Sequence, residues 1–314
     1  MAHAVSSPPP TSPTPPPAPP TPFRWSQAGE RPQRVGALTY GAQAPDLWYL
    51  PALTDCAAKV LTRTSAADLC FVGRSLDSMY DLLTGAFDGT SRKADNRHGG
   101  LRRLPVSCSG FGPGDAVPAH VRRRLREHLA AVGLAPTALA RRERPVALVD
   151  VVHSGGTFDI LHGELARWIA ETREPWNVIR RKLRYAGVTE RGRTSPHHWR
   201  WQQSKASRPW VRTLPSGHVV NVSVDRYVWN WLGVGQPKVA RSFPPARWFD
   251  ADADAPPRHA GLPDALTESA ALVAAGRGRA VRAALVRAMA EEPGFAAREV
   301  RALALELRRG RRRA

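Results

Sequence analysis

Six residues within eight positions carry the strongest chemical signal in this 314-residue chain. They are Asp150, His153, Ser154, Gly155, Gly156 and Thr157, in the stretch RPVALVDVVHSGGTFDIL (144–161). Two glycines between an apolar run and a helix-like segment let the backbone approach a ligand closely. They also free N–H groups to point at an anion at the positive end of the helix. Ser154 and Thr157 add hydroxyl donors. Asp150 closes the apolar run, where it can face sugar hydroxyls or a metal-bound water. The combination suits a phosphorylated ribose, with phosphate in the glycine loop and hydroxyls at the carboxylate. The same pattern also describes an ordinary strand-to-helix turn with Ser154 or Thr157 as its cap.

A second glycine-bearing turn, Gly73-Arg74-Ser75, follows the apolar run DLCFV. It offers backbone N–H groups and a cation. Its plain reading is Ser75 capping the next helix beside a solvated Arg74. Asp77 and Asp159 fall in the first turn after each loop. They complement the helix dipole but repel a nearby phosphate unless they turn away or hold magnesium.

These loops need elements to position them. Residues 69 to 72 and 146 to 152 read as short buried strands, with a further brief strand in RLPVSCSGFGPG. LTDCAAKVLTR reads as a helix starting near Thr54 or Asp55. LDSMYDLLTG reads as a helix stopped by Gly85. AVPAHVRRRLREHLAAVG is amphipathic, with Val121, Leu125, Leu129 and Val132 in one stripe and Gly133 as its stop. A further helix is expected from about Phe158 to Glu171. Unbroken apolar strands alternating with helices predict an α/β fold, a parallel sheet with helices on both faces. Right-handed crossovers then bring the loops after the strands to one edge, where ligands bind.

The run VDVVHSGGT resembles the phosphoribosyl-diphosphate loop of type I phosphoribosyltransferases. In that family an apolar strand normally ends in two acids, followed by two apolar residues, a polar or acidic one, then Thr-Gly-x-Thr. Here the second acid is Asp150 and the phosphate loop is Ser154, Gly155, Gly156 and Thr157. Val149 replaces the first acid, and His153 occupies the position that often carries the catalytic base. Gly73, Arg74 and Ser75 match the family's pyrophosphate loop. The resemblance covers roughly residues 47 to 172. It implies displacement of pyrophosphate from phosphoribosyl diphosphate by an acceptor, usually a ring nitrogen. It also implies Mg²⁺ bridging pyrophosphate and ribose, Asp150 orienting the hydroxyls directly or through the metal, and His153 as a general base.

The remaining sequence divides by texture. Residues 1–46 form a tail and lead-in, with ten prolines and no charged residue in the first 22, expected to be extended and unfolded. Residues 173–250 read as a tryptophan-rich hood over the acceptor, with six of the ten tryptophans between 199 and 248, or as a small aromatic core. Within this region, WNVIRRKLRYAGV reads as a basic helix ending at Gly187. WVRTLPSGHVVNVSV reads as a β-hairpin turning at Pro215-Ser216-Gly217, and DRYVWNWLGVG as a short helix capped by Asp225. His197 and His198 are adjacent and make a poor metal pair. Residues 251–262 read as a linker and 263–314 as an Ala/Arg-rich helical tail.

The net charge is +19, with 46 basic residues of which only Lys59, Lys93, Lys182, Lys205 and Lys238 are lysine. That balance fits an arginine-rich solvated surface or a nucleic-acid partner. A sensor of phosphoribosyl diphosphate that binds nucleic acid is therefore the alternative to a transferase, and a fold kept without ligand is a third reading. Cys56, Cys70 and Cys108 have no metal or redox spacing. No secretion signal or membrane-spanning run is visible, so a cytoplasmic protein is expected; the fold it resembles often dimerises across the sheet edge, which makes a homodimer the expected assembly.

Overall fold

The computed structural model describes residues 38–39, 42–92, 100–108, 111, 117–192, 201–203, 209–240 and 259–309. The proline-rich tail, most of the linker, Trp199, Trp248, His197, His198 and the final basic run lie outside them. Among the described residues, five strands form one all-parallel sheet: β1 (Asp68–Val72), β2 (Leu101–Leu104), β3 (Val146–Val151), β4 (Leu183–Glu190) and β5 (Val219–Val224). Their order is β2-β1-β3-β4-β5. The chain steps from β1 outward to β2, then returns to lay β3 on β1's other side. The direction of winding therefore reverses between β1 and β3.

The strands are apolar on both sides because both sides are covered. On the front face Leu69, Phe71, Ala147, Val149, Val188 and Val222 share one core with α1 (Leu50–Arg63) and α2 (Asp77–Ala86); outside these, α8 (Leu262–Arg277) packs on α2, α9 (Arg279–Ala290) on α1 and α10 (Arg298–Arg309) on α9. On the back face Cys70, Val72, Leu148 and Tyr185 pack under α3 (Ala119–Ala131), α4 (Pro136–Arg141) and α5 (Gly156–Glu171). Side chains alternate between faces along each strand. Asp150 is in step with Val146 and Leu148 and so belongs to the back face, while Val149 is fully buried on the front.

The structure corrects several expectations. The sequence 176–188 is not one helix. A single turn, α6 (Trp176–Ile179), gives way to β4, because Leu183, Tyr185, Ala186 and Val188 bury by strand alternation. Nor is 210–224 a hairpin. Pro209–Thr213 is a 3₁₀ turn, and Val219–Val224 is the fifth parallel strand, paired to β4 from Tyr185↔Val219 to Glu190↔Val224. The α/β core thus runs well past residue 172. The three C-terminal helices are core rather than tail: Leu272, Leu285, Met289 and Leu303 are buried.

Two helix ends also differ. α1 begins at Leu50, with Pro51 in its first turn, where its missing N–H costs nothing. Gly85 is not a stop: α2 runs to Ala86, and a Cβ on Gly85 would lie 2.0 Å from the Val273 carbonyl oxygen. Gly276 makes the reciprocal approach, its Cβ falling 2.0 Å from the Leu82 oxygen. This glycine crossing lets α8 dock directly on α2. Across it, Ser269 Oγ donates to Asp81 Oδ2 at 2.7 Å. Gly133, with φ +73°, does end α3, and Asp225 caps α7 (Arg226–Asn230) by accepting from the Tyr227 N–H at 2.8 Å.

Candidate phosphate site at the sheet edge

β1 and β3 are neighbours, so their C-terminal loops stand side by side at the point where the winding reverses. In open α/β sheets the splayed loops at such a point form the ligand crevice. The loops the sequence singled out are these two. After β3 the chain runs through His153 and Ser154, both exposed, to Gly155 at φ +89°. Only glycine takes this left-handed conformation freely. It turns the chain straight into α5, whose N1 residue is Gly156 and whose first intrahelical acceptor is the Gly155 carbonyl, bonded by the Asp159 N–H at 3.1 Å. The N–H groups before Asp159 lie in the part of a helix that has no internal partner. Thr157 is half-buried beside them.

Asp159 does not oppose an anion there. Its Oδ1 accepts a hydrogen bond from Trp210 Nε1 at 2.8 Å, which ties the carboxylate to the back-face aromatics. Asp77 is buried in the first turn of α2.

After β1, Gly73 has φ +65° and its N–H donates to the Leu104 carbonyl at 2.9 Å. That amide is committed to holding the loop, and the Arg74 and Ser75 amides remain for a ligand. Arg74 is half-buried. Its Nη1 donates to the Ala240 carbonyl at 3.0 Å, and burial lowers its pKa. It braces the loop against the following segment instead of reaching freely into solvent.

Sequence reasoning missed Lys238. Its buried Nζ lies 3.1 Å from the Ser75 carbonyl, 2.9 Å from that of Leu232 and 2.6 Å from Gln236 Oε1. Gln236 Nε2 in turn donates to Tyr49 Oη at 2.9 Å and Glu268 Oε1 at 3.0 Å, and Tyr49 Oη donates to Glu268. A buried cation therefore sits beneath the β1 loop, fixed by a polar network reaching α1 and α8. The only local clue was a lysine in an arginine-dominated chain.

Asp150 is 8 % exposed at the end of β3. No cation pairs with it among the described residues, and burial pushes its pKa up to about 8, opposed only by the Val151 N–H. The nearby Cys108 thiol is pushed up to about 12 by its own burial first and by the Asp150 charge second. All three cysteines are buried and free. His153 lies above, its ring centroid 6.2 Å from that of Trp229. Gly233 approaches Val151 from the π-helical turn Trp231–Gly235.

The hood thus divides. Trp229 and Trp231 flank the sheet edge, but Trp201 is fully buried on the back face, 5.2 Å from Phe158 by ring centroids, and Trp210 packs beside it.

Among the described residues no group of three or more His, Cys, Asp or Glu side chains is placed to hold a metal ion. One carboxylate fits Mg²⁺ only as an ion carried in on a ligand's own phosphates, with Asp150 reaching its water. No helix among those residues is long and apolar enough to cross a membrane. Comparison of the chain with protein-family profiles, with curated proteins and with solved structures finds no match.

Proposed function

We propose that the edge between β1 and β3 binds phosphoribosyl diphosphate and transfers its phosphoribosyl group to a planar, base-like acceptor. The observation that carries this reading is the pairing of two left-handed glycine turns across the winding reversal, with an unpaired buried carboxylate between them and a buried lysine behind.

In this reading the 5′-phosphate occupies the Ser154–Thr157 loop. The amides at the start of α5 and the two hydroxyls donate to its oxygens. The pyrophosphate lies against the Arg74 and Ser75 amides, over the positive charge of Lys238. Asp150, in its ionised form, holds the ribose hydroxyls; Mg²⁺ brought by the ligand would supply positive charge against the phosphates and favour that form. The acceptor nitrogen forms a bond to the anomeric carbon as the carbon–oxygen bond to pyrophosphate breaks. The electron pair leaves with pyrophosphate, and the acceptor's N–H proton passes to His153 or water. Trp229, beside His153, supplies an aromatic wall where the acceptor enters.

One observation favours binding without turnover. Val149, standing where the family carries its first acid, is wholly buried on the front face and offers the ribose nothing. The missing acid favours a sensor for the same ligand, with nucleic acid as its candidate partner.

Calorimetry of the full chain with phosphoribosyl diphosphate and Mg²⁺ tests the shared core of both readings. Saturable heat that falls at least about tenfold in affinity in Asp150→Asn, an interaction of about 1.4 kcal/mol or more, supports them. Its absence overturns both. Pyrophosphate release on adding purine and pyrimidine bases selects the transferase, and binding without release selects the sensor.

A further inference from the structure

A second cavity lies on the outer side of α5. It encloses about 520 Å³ between α5 and the segments bearing Trp176 and Trp210. Its α5 wall starts at His162 and extends past the helix's C-terminus to Arg173 and Glu174, away from the phosphate loop at the N-terminus. Nothing in it depends on the reading of the sheet edge.

His162 is 3 % exposed, and its ring stacks on Trp210 with centroids 4.4 Å apart and 20° between the planes. Nδ1 lies 3.0 Å from Tyr185 Oη, and Nε2 has no hydrogen-bond partner among the described residues. Burial holds the imidazole's pKa down to about 4, so it is neutral near pH 7. Tyr185 is fully buried with no other hydrogen-bond partner there. If Nδ1–H donated to the phenol, both the phenol O–H and the Nε2 lone pair would be left over; if the phenol donates to Nδ1, only Nε2–H is, so the phenol gives its proton to Nδ1. The imidazole hydrogen then sits on Nε2, the buried donor of a wall whose other donors, on the half-buried Trp176 and the exposed Arg173 and Thr213, lie nearer water.

Gly163 supplies a separate observation. It lies inside a 16-residue helix, where glycine is the poorest former after proline, yet a Cβ built there meets nothing within 4 Å. Local stability would favour almost any other residue. Glycine keeps the space over α5 open. Trp176 meets His162 edge-on, centroids 5.9 Å apart at 78°, and closes one side.

We propose that this cavity binds a small planar heteroaromatic molecule carrying one hydrogen-bond acceptor, a ring nitrogen or ring carbonyl, which accepts from His162 Nε2. Flat aromatic walls select the shape, and the lone buried donor selects the acceptor, since a hydrocarbon of the same outline leaves it unpaired.

Quinoline and naphthalene share an outline and differ by one acceptor nitrogen. Saturation-transfer NMR on the full chain at pH 7.5 should show quinoline binding at least fivefold tighter than naphthalene. His162→Phe should erase that difference. Gly163→Leu should abolish binding of both without lowering the melting temperature, because it fills open space and improves the helix. Equal binding of the two probes to the native chain overturns the proposal, as does quinoline binding that survives Gly163→Leu. If His162→Phe fails to fold, the native probe pair and Gly163→Leu still decide the matter.

Discussion

Two carboxylates stand at opposite ends of the sheet and are buried alike: Asp68, 7 % exposed, at the start of β1, and Asp150, 8 % exposed, at the end of β3. Their surroundings differ completely. Asp68 is bonded by Arg142 and has Arg144 at 3.7 Å and Arg102 at 3.9 Å. Asp150 has no cation among the described residues. In a chain with 46 basic and 27 acidic residues, this is no shortage of partners. The N-terminal edge is neutralised from within and closed. The C-terminal edge keeps a buried acid with no cation beside it among the described residues, which is a costly arrangement unless something from outside completes it.

The largest expected effect tests the closed end. Arg142→Ala strips Asp68 of its nearest cation and should cost about 3 kcal/mol in urea unfolding, with ligand binding at the other edge unchanged. Asp150→Asn should do the opposite. Below about pH 4 the acid is protonated whether the chain is folded or not, and the substitution changes little. As pH rises toward 8 the unfolded chain ionises this group while the folded one retains its proton, so native stability falls and the penalty is complete above about pH 8. The variant should therefore be more stable than the native chain by about 2–4 kcal/mol at pH 8.5, equal to it at pH 4, and unable to bind the phosphorylated ligand. Destabilisation at pH 8.5 would make Asp150 as structural as Asp68 and dissolve the contrast.

Gly155→Ala sharpens the comparison at the loop itself. A left-handed alanine should cost about 1–2 kcal/mol by thermal unfolding and weaken ligand affinity about tenfold or more. His153→Ala should be the mildest, within about 0.5 kcal/mol of the native chain because the ring is exposed. In the transferase reading it slows turnover by about 10²-fold without altering ligand affinity.

What the sequence disclosed follows from how local each signal is. β1, β3 and their glycine turns were legible because an apolar run, a chain reversal and a helix start are written in consecutive residues. β4 and β5 were not. In RRKLRYAGVTE the arginines mimic helical spacing, and only pairing with β3 decides for a strand. Val219–Val224 alternates like a hairpin arm, and nothing local reveals that its partner is the parallel strand Tyr185–Glu190. Gly85 read as a helix stop because the backbone carbonyl facing it belongs to another helix. Lys238 and His162 escaped for the same reason, since their roles come from burial and from partners distant in the chain.

The last three helices pack on other helices: α8 on α2, α9 on α1 and α10 on α9. None of them is synthesised until after residue 261, so a nascent chain that has completed all five strands still exposes the outer sides of α1 and α2, including the Gly85 surface that α8 crosses. Contacts this far apart in sequence make for slow folding. The bond from Gln236, the partner of Lys238, to Glu268 waits on the same events. During translation this chain must travel with two bare helix flanks, a substrate for chaperones and for self-association, until its final helices arrive.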